Sequence, residues 1–306
     1  MHPSTPSPAD MVDALNNTFG KHPGKRASHA KGFCASGEFI PAQGAAALLD
    51  SPLFKAGPLT AIVRFSIGGG NPGVSDKSRS VRGLAVRLQG ATEKYDLVLV
   101  SEPVFFAATP ESFVSFLAAR VADPATKKPD PAKVAAHNAA FPDGLRQPAL
   151  LASHAAPASY ATTPYFSNNA FVFSNADGRQ TTTRLIVAPA AGTHYLSADQ
   201  ERDFSDNFLE EELAARLANG SASFTVYAQL PAAGDTLTDS SQPWQGAGQV
   251  ALGDLHITGL AGAELCDGLE FVPIILPRGI APSDDPILVS RAAAYAVSLA
   301  RRKAAA

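Results

Sequence analysis

The residues with the most chemical reach sit in the last helical stretch, PSDDPILVSRAAAYAVSLARRK at 282–303. Arg291 and Tyr295 are four apart, so on a helix their side chains are neighbours on one face. Arg302 lies seven beyond Tyr295, about two turns at roughly 3.6 residues per turn, and joins the same stripe. A guanidinium beside a phenol favours the phenolate, because it stabilises the charged form. A phenolate is a hard anionic ligand for ferric iron, haem iron included. The same stripe also reads as the interfacial face of a C-terminal helix with solvated arginines. Two shorter pieces carry other candidates. Arg26-Ala27-Ser28-His29 holds an imidazole, whose near-neutral pKa suits a general base. Arg64-Phe65-Ser66 puts Arg64 and Ser66 on one face of a strand, because strand side chains alternate. A lone histidine is more often a satisfied polar group, and a strand serine as readily bonds the backbone.

Each piece needs an element to hold it. Asp285 can cap the last helix and Pro286 fits its first turn, while Arg301, Arg302 and Lys303 suit the negative end of its dipole. Residues 8–18 predict a short helix capped by Ser7. Residues 33–39, 58–67, 81–89 and 95–106 predict strands, with Gly68-Gly69-Gly70 closing the second. Thr109-Pro110-Glu111 starts a helix reaching about Val121, and Asp130-Pro131 another ending near Phe141. Residues 148–166 read as irregular. A hairpin is expected at 169–175 and 180–189 across Asn175-Ala176-Asp177-Gly178. An amphipathic helix follows at 205–217, with Leu209, Leu213 and Leu217 at helical spacing. Two strands at 221–230 and 248–258 complete the series. Strands without regular helical crossovers favour an antiparallel sheet or barrel, an α+β class in one domain spanning 1–306.

Composition narrows the function. The chain has 306 residues, 45% hydrophobic and 17% charged, with a net charge of −3. No basic surplus points to nucleic acid or an anionic membrane, and no apolar run could span a bilayer. The N-terminus has no apolar signal core, so the expectation is a cytoplasmic chain, or a periplasmic one whose signal was removed. Cys34 and Cys266 are too few for a disulfide framework or a structural zinc site. They read as a reduced, buried pair, with a single bridge left open. The seven histidines show no metal spacing, and neither an HExxH nor a GxSxG nor a Walker loop occurs. GGGNPG at 68–73 reads as a loop.

The order of these pieces resembles the haem catalase superfamily, and more closely the small catalase-related peroxidases. RASHAKG at 26–32 is similar to the distal-histidine segment of that family. AIVRFSIGGG at 61–70 and SRSVRGLAVRL at 78–88 are similar to its distal-serine strand and the RGxAV strand that follows. YDLV at 95–98 and PVFF at 103–106 resemble the next strand. FVP at 271–273 and PRGIAPSDDPILVSRAAAY at 277–295 keep the spacing of the proximal segment.

The resemblance implies roles. His29 would be the distal general base, oriented by Ser66, and Tyr295 the axial ligand of a haem b iron, bonded by Arg291. Arg26, Arg64 and Arg302 would pair with haem propionates, and Phe113 would face the distal side with Phe105 and Phe106 near it. The fold implied is an antiparallel β-barrel of about eight strands with inserted and C-terminal helices. The implied activity is peroxidase turnover of hydrogen peroxide or an organic hydroperoxide with a small organic reductant, in a monomer or homodimer. A fatty-acid hydroperoxide isomerase, allene oxide synthase-like, on the same scaffold is the alternative. A haem carrier or sensor and a haem-free lipid- or carbohydrate-binding barrel also stay open.

One position departs from the pattern. Counting back from Pro103, the family's distal asparagine falls on Val100, which has no donor. Ser101 could take its place only by a one-residue slip, which would turn the side chain to the other face. The expectation is weak catalase activity at most.

Overall fold

The stretches rich in Ile, Val and Phe form strands, as expected of branched and aromatic side chains on a pleated surface. The computed structural model describes residues 5–304; His2 lies outside them. The strands are β1 (Gly32–Pro41), β2 (Leu59–Ile67), β3 (Arg82–Gln89), β4 (Lys94–Val100), β5 (Tyr165–Phe166), β6 (Phe171–Ser174), β7 (Gln180–Pro189), β8 (Ala222–Leu230), β9 (Gly248–Leu260) and β10 (Ile280–Pro282). Their hydrogen-bonded order runs β7-β5-β4-β3-β2-β1-β9-β8, and β8 pairs back with β7. The result is a closed antiparallel barrel of eight strands, with β6 and β10 paired beyond β7.

Alternation along the strands separates the core from the site. Val63 pairs with Val86 and Val86 with Leu97; Phe65 pairs with Leu84 and Leu84 with Leu99. All six are buried in the main apolar cluster. The residues between them point the other way. Arg64, Ser66, Gly83, Ala85, Val98 and Val100 line a cavity on the outer wall of the barrel. Truncating a core aromatic such as Phe65 to Ala would cost about 3–5 kcal/mol.

The helices are α1 (Pro8–Phe19), α2 (Pro52–Lys55), α3 (Pro110–Ala119), α4 (Pro131–Ala140), α5 (Arg146–Ala152), α6 (Ala198–Asp203), α7 (Phe208–Ala218), α8 (Ala263–Gly268) and α9 (Pro286–Ala304), of which α1, α3, α5 and α9 line the cavity. Four start as the sequence predicts. Ser7 and Thr109 form capping boxes with Asp10 and Ser112, Asp130 caps α4, and Asp285 Oδ1 accepts the Ile287 N–H of α9 at 2.8 Å. Met11, Ala14, Phe113, Leu117 and Ile287 form a second apolar cluster that seats α1 on α3 and α9. Among the described residues no helix is long and apolar enough to cross a membrane.

Three expectations are corrected. The strand expected over 95–106 ends at Val100, because the chain turns at Ser101-Glu102-Pro103, where Pro103 has no N–H for a ladder. Residues 148–166 are not irregular throughout: they include the end of α5, a 3₁₀ turn at Tyr160–Thr162 and β5. Cys34 and Cys266 are bonded rather than reduced. Folding brings α8 onto β1 with a Cα–Cα distance of 5.4 Å, inside the usual bridging range. A sequence separation of 232 residues hides that approach from any local pattern.

Closing so long a loop limits the freedom of the unfolded chain, worth about 2–4 kcal/mol in typical proteins. The double variant Cys34→Ala/Cys266→Ala should therefore melt several degrees lower. The native chain denatured without reductant should show no free thiol in a colorimetric titration.

Candidate active site

His29 sits in the loop between α1 and β1, with a left-handed backbone φ of 54°. It is half-buried and lines the cavity. Two contacts fix it. Its Nδ1 lies 3.0 Å from Ser66 Oγ on β2, and its carbonyl accepts a hydrogen bond from Arg64 Nη2 at 2.9 Å. Gly83, across from Ser66 on β3, makes the space. A Cβ there would stand 2.5 Å from Ser66 Oγ and 2.6 Å from His29 Nδ1. Any side chain at 83 would thus push the pair apart.

Tyr295 enters the same cavity from α9. Arg291 Nη2 donates to its hydroxyl at 3.0 Å, one turn away as the spacing predicts. Arg291 is itself held. Its Nη1 donates to Asn169 Oδ1 at 2.6 Å, and Asn169 Nδ2 donates to Asp285 Oδ2 at 2.7 Å. Asp285 is also the cap of α9, so one carboxylate both starts the helix and anchors the partner of its tyrosine. Burial pushes the Asp285 carboxyl up, opposed by the Asn169 and backbone hydrogen bonds. Sequence reasoning missed Asn169, which lies 122 residues before Arg291 in a segment read only as a hairpin. No signal short of the tertiary contact marks it.

Three arginines gather at one end. Arg26 Nη2 donates to the carbonyls of Leu269 at 2.7 Å and Cys266 at 3.3 Å. Arg302 pairs with Glu270 at 2.8 Å. Arg64 is buried, and its Nε has no partner. Burial pulls the Arg26 and Arg64 guanidinium pKa values down, with the charge of a neighbouring arginine adding to it, to about 9 for Arg64. Among the described residues one carboxylate touches this cluster, that of Glu270 on Arg302, another residue the sequence did not single out. The cluster has capacity for further carboxylates.

The cavity is about 560 Å³. Arg26, His29, Arg64, Ser66, Phe113, Arg291 and Tyr295 all line it; Arg302 reaches it only through Glu270. Phe105, Phe106 and Phe113 stack into one aromatic wall, with centroids 4.4–6.3 Å apart. Val100 also lines the cavity, whereas Ser101 points away. Its Oγ accepts from the Arg82 N–H at 3.0 Å and donates to Glu102 at 3.3 Å. The register slip that would bring a hydroxyl into the site does not occur.

A macrocycle with two carboxylates and an axial metal position fits this donor set: apolar walls, a guanidinium cluster with unspent charge, and a tyrosine beside an arginine. Among the described residues no group of three His, Cys, Asp or Glu could hold a metal. Iron at Tyr295 would bring its remaining ligands with it.

Burial, then the charges of Arg64, Arg291 and Arg26, lower the His29 pKa from 6.5 to about 3. The unfolded chain therefore takes up this proton first as pH falls. Stability should drop with pH between about 6.5 and 3, by up to about 1.4 kcal/mol per pH unit. Urea unfolding at pH 7 and pH 4.5 should show a smaller acid loss in His29→Gln than in the native chain.

Comparison with known proteins agrees with this geometry. Residues 11–245 match the catalase family model. The chain is 34% identical to a catalase-related peroxidase of Synechococcus elongatus, over 97% of this chain and 88% of that protein. It is 35% identical to a catalase-related peroxidase of Mycolicibacterium paratuberculosis, over 97% and 95%. A fungal catalase and catalase A from Saccharomyces cerevisiae superpose with TM-scores of 0.82 at 21% identity, over 92% of this chain but only 60% and 62% of theirs. The fold is thus theirs, matched over about three-fifths of their length. With a fold, a cavity and relatives in agreement, the chain belongs to the catalase family.

Proposed function

We propose that the chain is a haem-dependent peroxidase that reduces hydrogen peroxide or an organic hydroperoxide with organic one-electron donors. The observation that carries this reading is one cavity holding a phenol tied to Arg291 on α9 and an imidazole tied to Ser66 on the barrel wall. Tyr295 would hold the iron through its phenol oxygen, and Arg291 would fix that oxygen in place. Arg26, Arg64 and Arg302 would hold the two propionates of haem b through charge-assisted forks. When bound, the haem would supply the redox chemistry.

His29 would move the proton. Neutral at any pH well above about 3, it has a free lone pair to accept one, as a weaker base than the near-neutral imidazole expected from the sequence. With Nδ1 donating to Ser66 Oγ, Nε2 is the free base; it takes a proton from one peroxide oxygen and returns it to the oxygen that leaves. Phe105, Phe106 and Phe113 exclude water around this transfer. Val100 offers no hydrogen bond to a second peroxide, which favours reduction by an outside donor over dismutation. The same aromatic wall favours the alternative, rearrangement of a fatty-acid hydroperoxide, and product analysis without added reductant separates the two. The Cys34–Cys266 bridge suits an oxidising compartment, in line with a periplasmic rather than a cytoplasmic location.

The deciding measurement is the absorption spectrum of the ferric protein beside Tyr295→Phe. A high-spin Soret band that is lost or strongly changed in the variant is expected. No Soret band after expression with a haem precursor would overturn the reading. In Val100→Asn, oxygen release from peroxide should rise by roughly tenfold, about 1.4 kcal/mol of barrier, while peroxidase turnover changes little.

A further inference from the structure

A cavity of about 560 Å³ that holds a macrocycle has little room left for an aromatic reductant beside the peroxide. A donor too large to enter beside the peroxide would be oxidised from outside, through the wall. One place on the surface is built for that.

Tyr195 is 41% exposed, whereas Tyr95, Tyr160 and Tyr165 are buried, Tyr227 is half-buried and Tyr295 lines the cavity. Its backbone is pinned on both sides. The His194 carbonyl accepts from the Ala158 N–H at 3.0 Å, and the Leu196 N–H donates to Ala156 at 2.9 Å. The ring stacks on His154, with centroids 4.3 Å apart and planes 26° from parallel. Nδ1 of His154 lies 2.8 Å from the Ala155 carbonyl and donates to it, and Nε2 faces the buried Glu102 carboxyl at 3.3 Å. Three short paths join this stack to the cavity wall. Ala152, two residues before His154, lines the cavity, as does Val100, two before Glu102. Arg79, also in the lining, donates to the His154 carbonyl and pairs with Glu201.

We propose that Tyr195 is the oxidation site for phenols and aromatic amines that remain outside the cavity, with His154 as the relay to the wall. The inference rests on the peroxidase reading. With peroxide as the oxidant in the cavity, Tyr195 would give up one electron through the wall and its phenolic proton to solvent, leaving a neutral tyrosyl radical. A phenol or aromatic amine gives that radical one electron and one proton, restoring the tyrosine and departing as a radical. Two such donors reduce one peroxide to two waters.

The test uses the haem-loaded protein and Tyr195→Phe, which keeps the ring on His154. Both are mixed with hydrogen peroxide and a nitroso spin trap without donor, then digested for mass spectrometry. Turnover is measured with o-dianisidine, an aromatic diamine, and with iodide, small enough to enter the cavity. A trap adduct on the Tyr195 peptide is expected in the native chain. In the variant o-dianisidine oxidation should fall by about tenfold or more and iodide oxidation by less than about twofold. A peroxide-induced absorbance change with no adduct on Tyr195 would overturn the inference alone, as would o-dianisidine turnover unchanged in the variant. No absorbance change in either protein would overturn the peroxidase reading, and this one with it.

Discussion

A tyrosine hydroxyl at the end of a long side chain serves a site only when something holds it in place. Here that work falls on Arg291, whose guanidinium touches the Tyr295 oxygen and is gripped in turn by Asn169. Asn169 is held by Asp285, and Asp285 caps the helix that carries both Arg291 and Tyr295. The network closes on itself, so the helix start, the arginine rotamer and the phenol position are set together. Each member satisfies its neighbour, which matters because an unpaired polar group in such a place costs about 1–3 kcal/mol.

The barrel supplies the other wall of the cavity by a single rule. Side chains at odd positions of β2 fill the interior, and those between them, Arg64 and Ser66, face the site. Register across β2, β3 and β4 then aligns Ser66 with Gly83 and Gly83 with Val100. A hydroxyl, a gap for the imidazole and an apolar patch therefore lie in one row. The absence of a side chain at Gly83 is as necessary to that row as the serine beside it. Val100 is equally determined: its register places it in the cavity, and the neighbouring Ser101 is committed to Arg82 and Glu102.

At the other end, the segment after β9 holds Arg26 through two carbonyls and Arg302 through one carboxylate, while Arg64 is held by the His29 carbonyl. The bridge from Cys34 to Cys266 pins the start of that segment to β1, and Arg87 with Asp96 pins its end through the Glu270 carbonyl and the Val272 N–H. The guanidinium cluster thus depends on covalent and ionic ties that lie outside the cavity.

Much of this was legible in the chain. The caps at Ser7, Thr109, Asp130 and Asp285, the strand alternation that pairs Arg64 with Ser66, and the spacing of Arg291 and Tyr295 are local. They follow from backbone hydrogen bonds and periods of two or about 3.6 residues, which act over a few neighbours. The order of motifs carried the fold class. Asn169, Glu270, Gly83 as a gap, the end of β4 and the Cys34–Cys266 bridge were not legible. Each depends on two segments brought together from far apart, and neither partner carries a mark of the other. Sequence alone determined which residues could do chemistry and which faces they share. Only the tertiary structure decided which of them meet, because closing the barrel and seating α9 on its wall are set by long-range packing that no local period encodes.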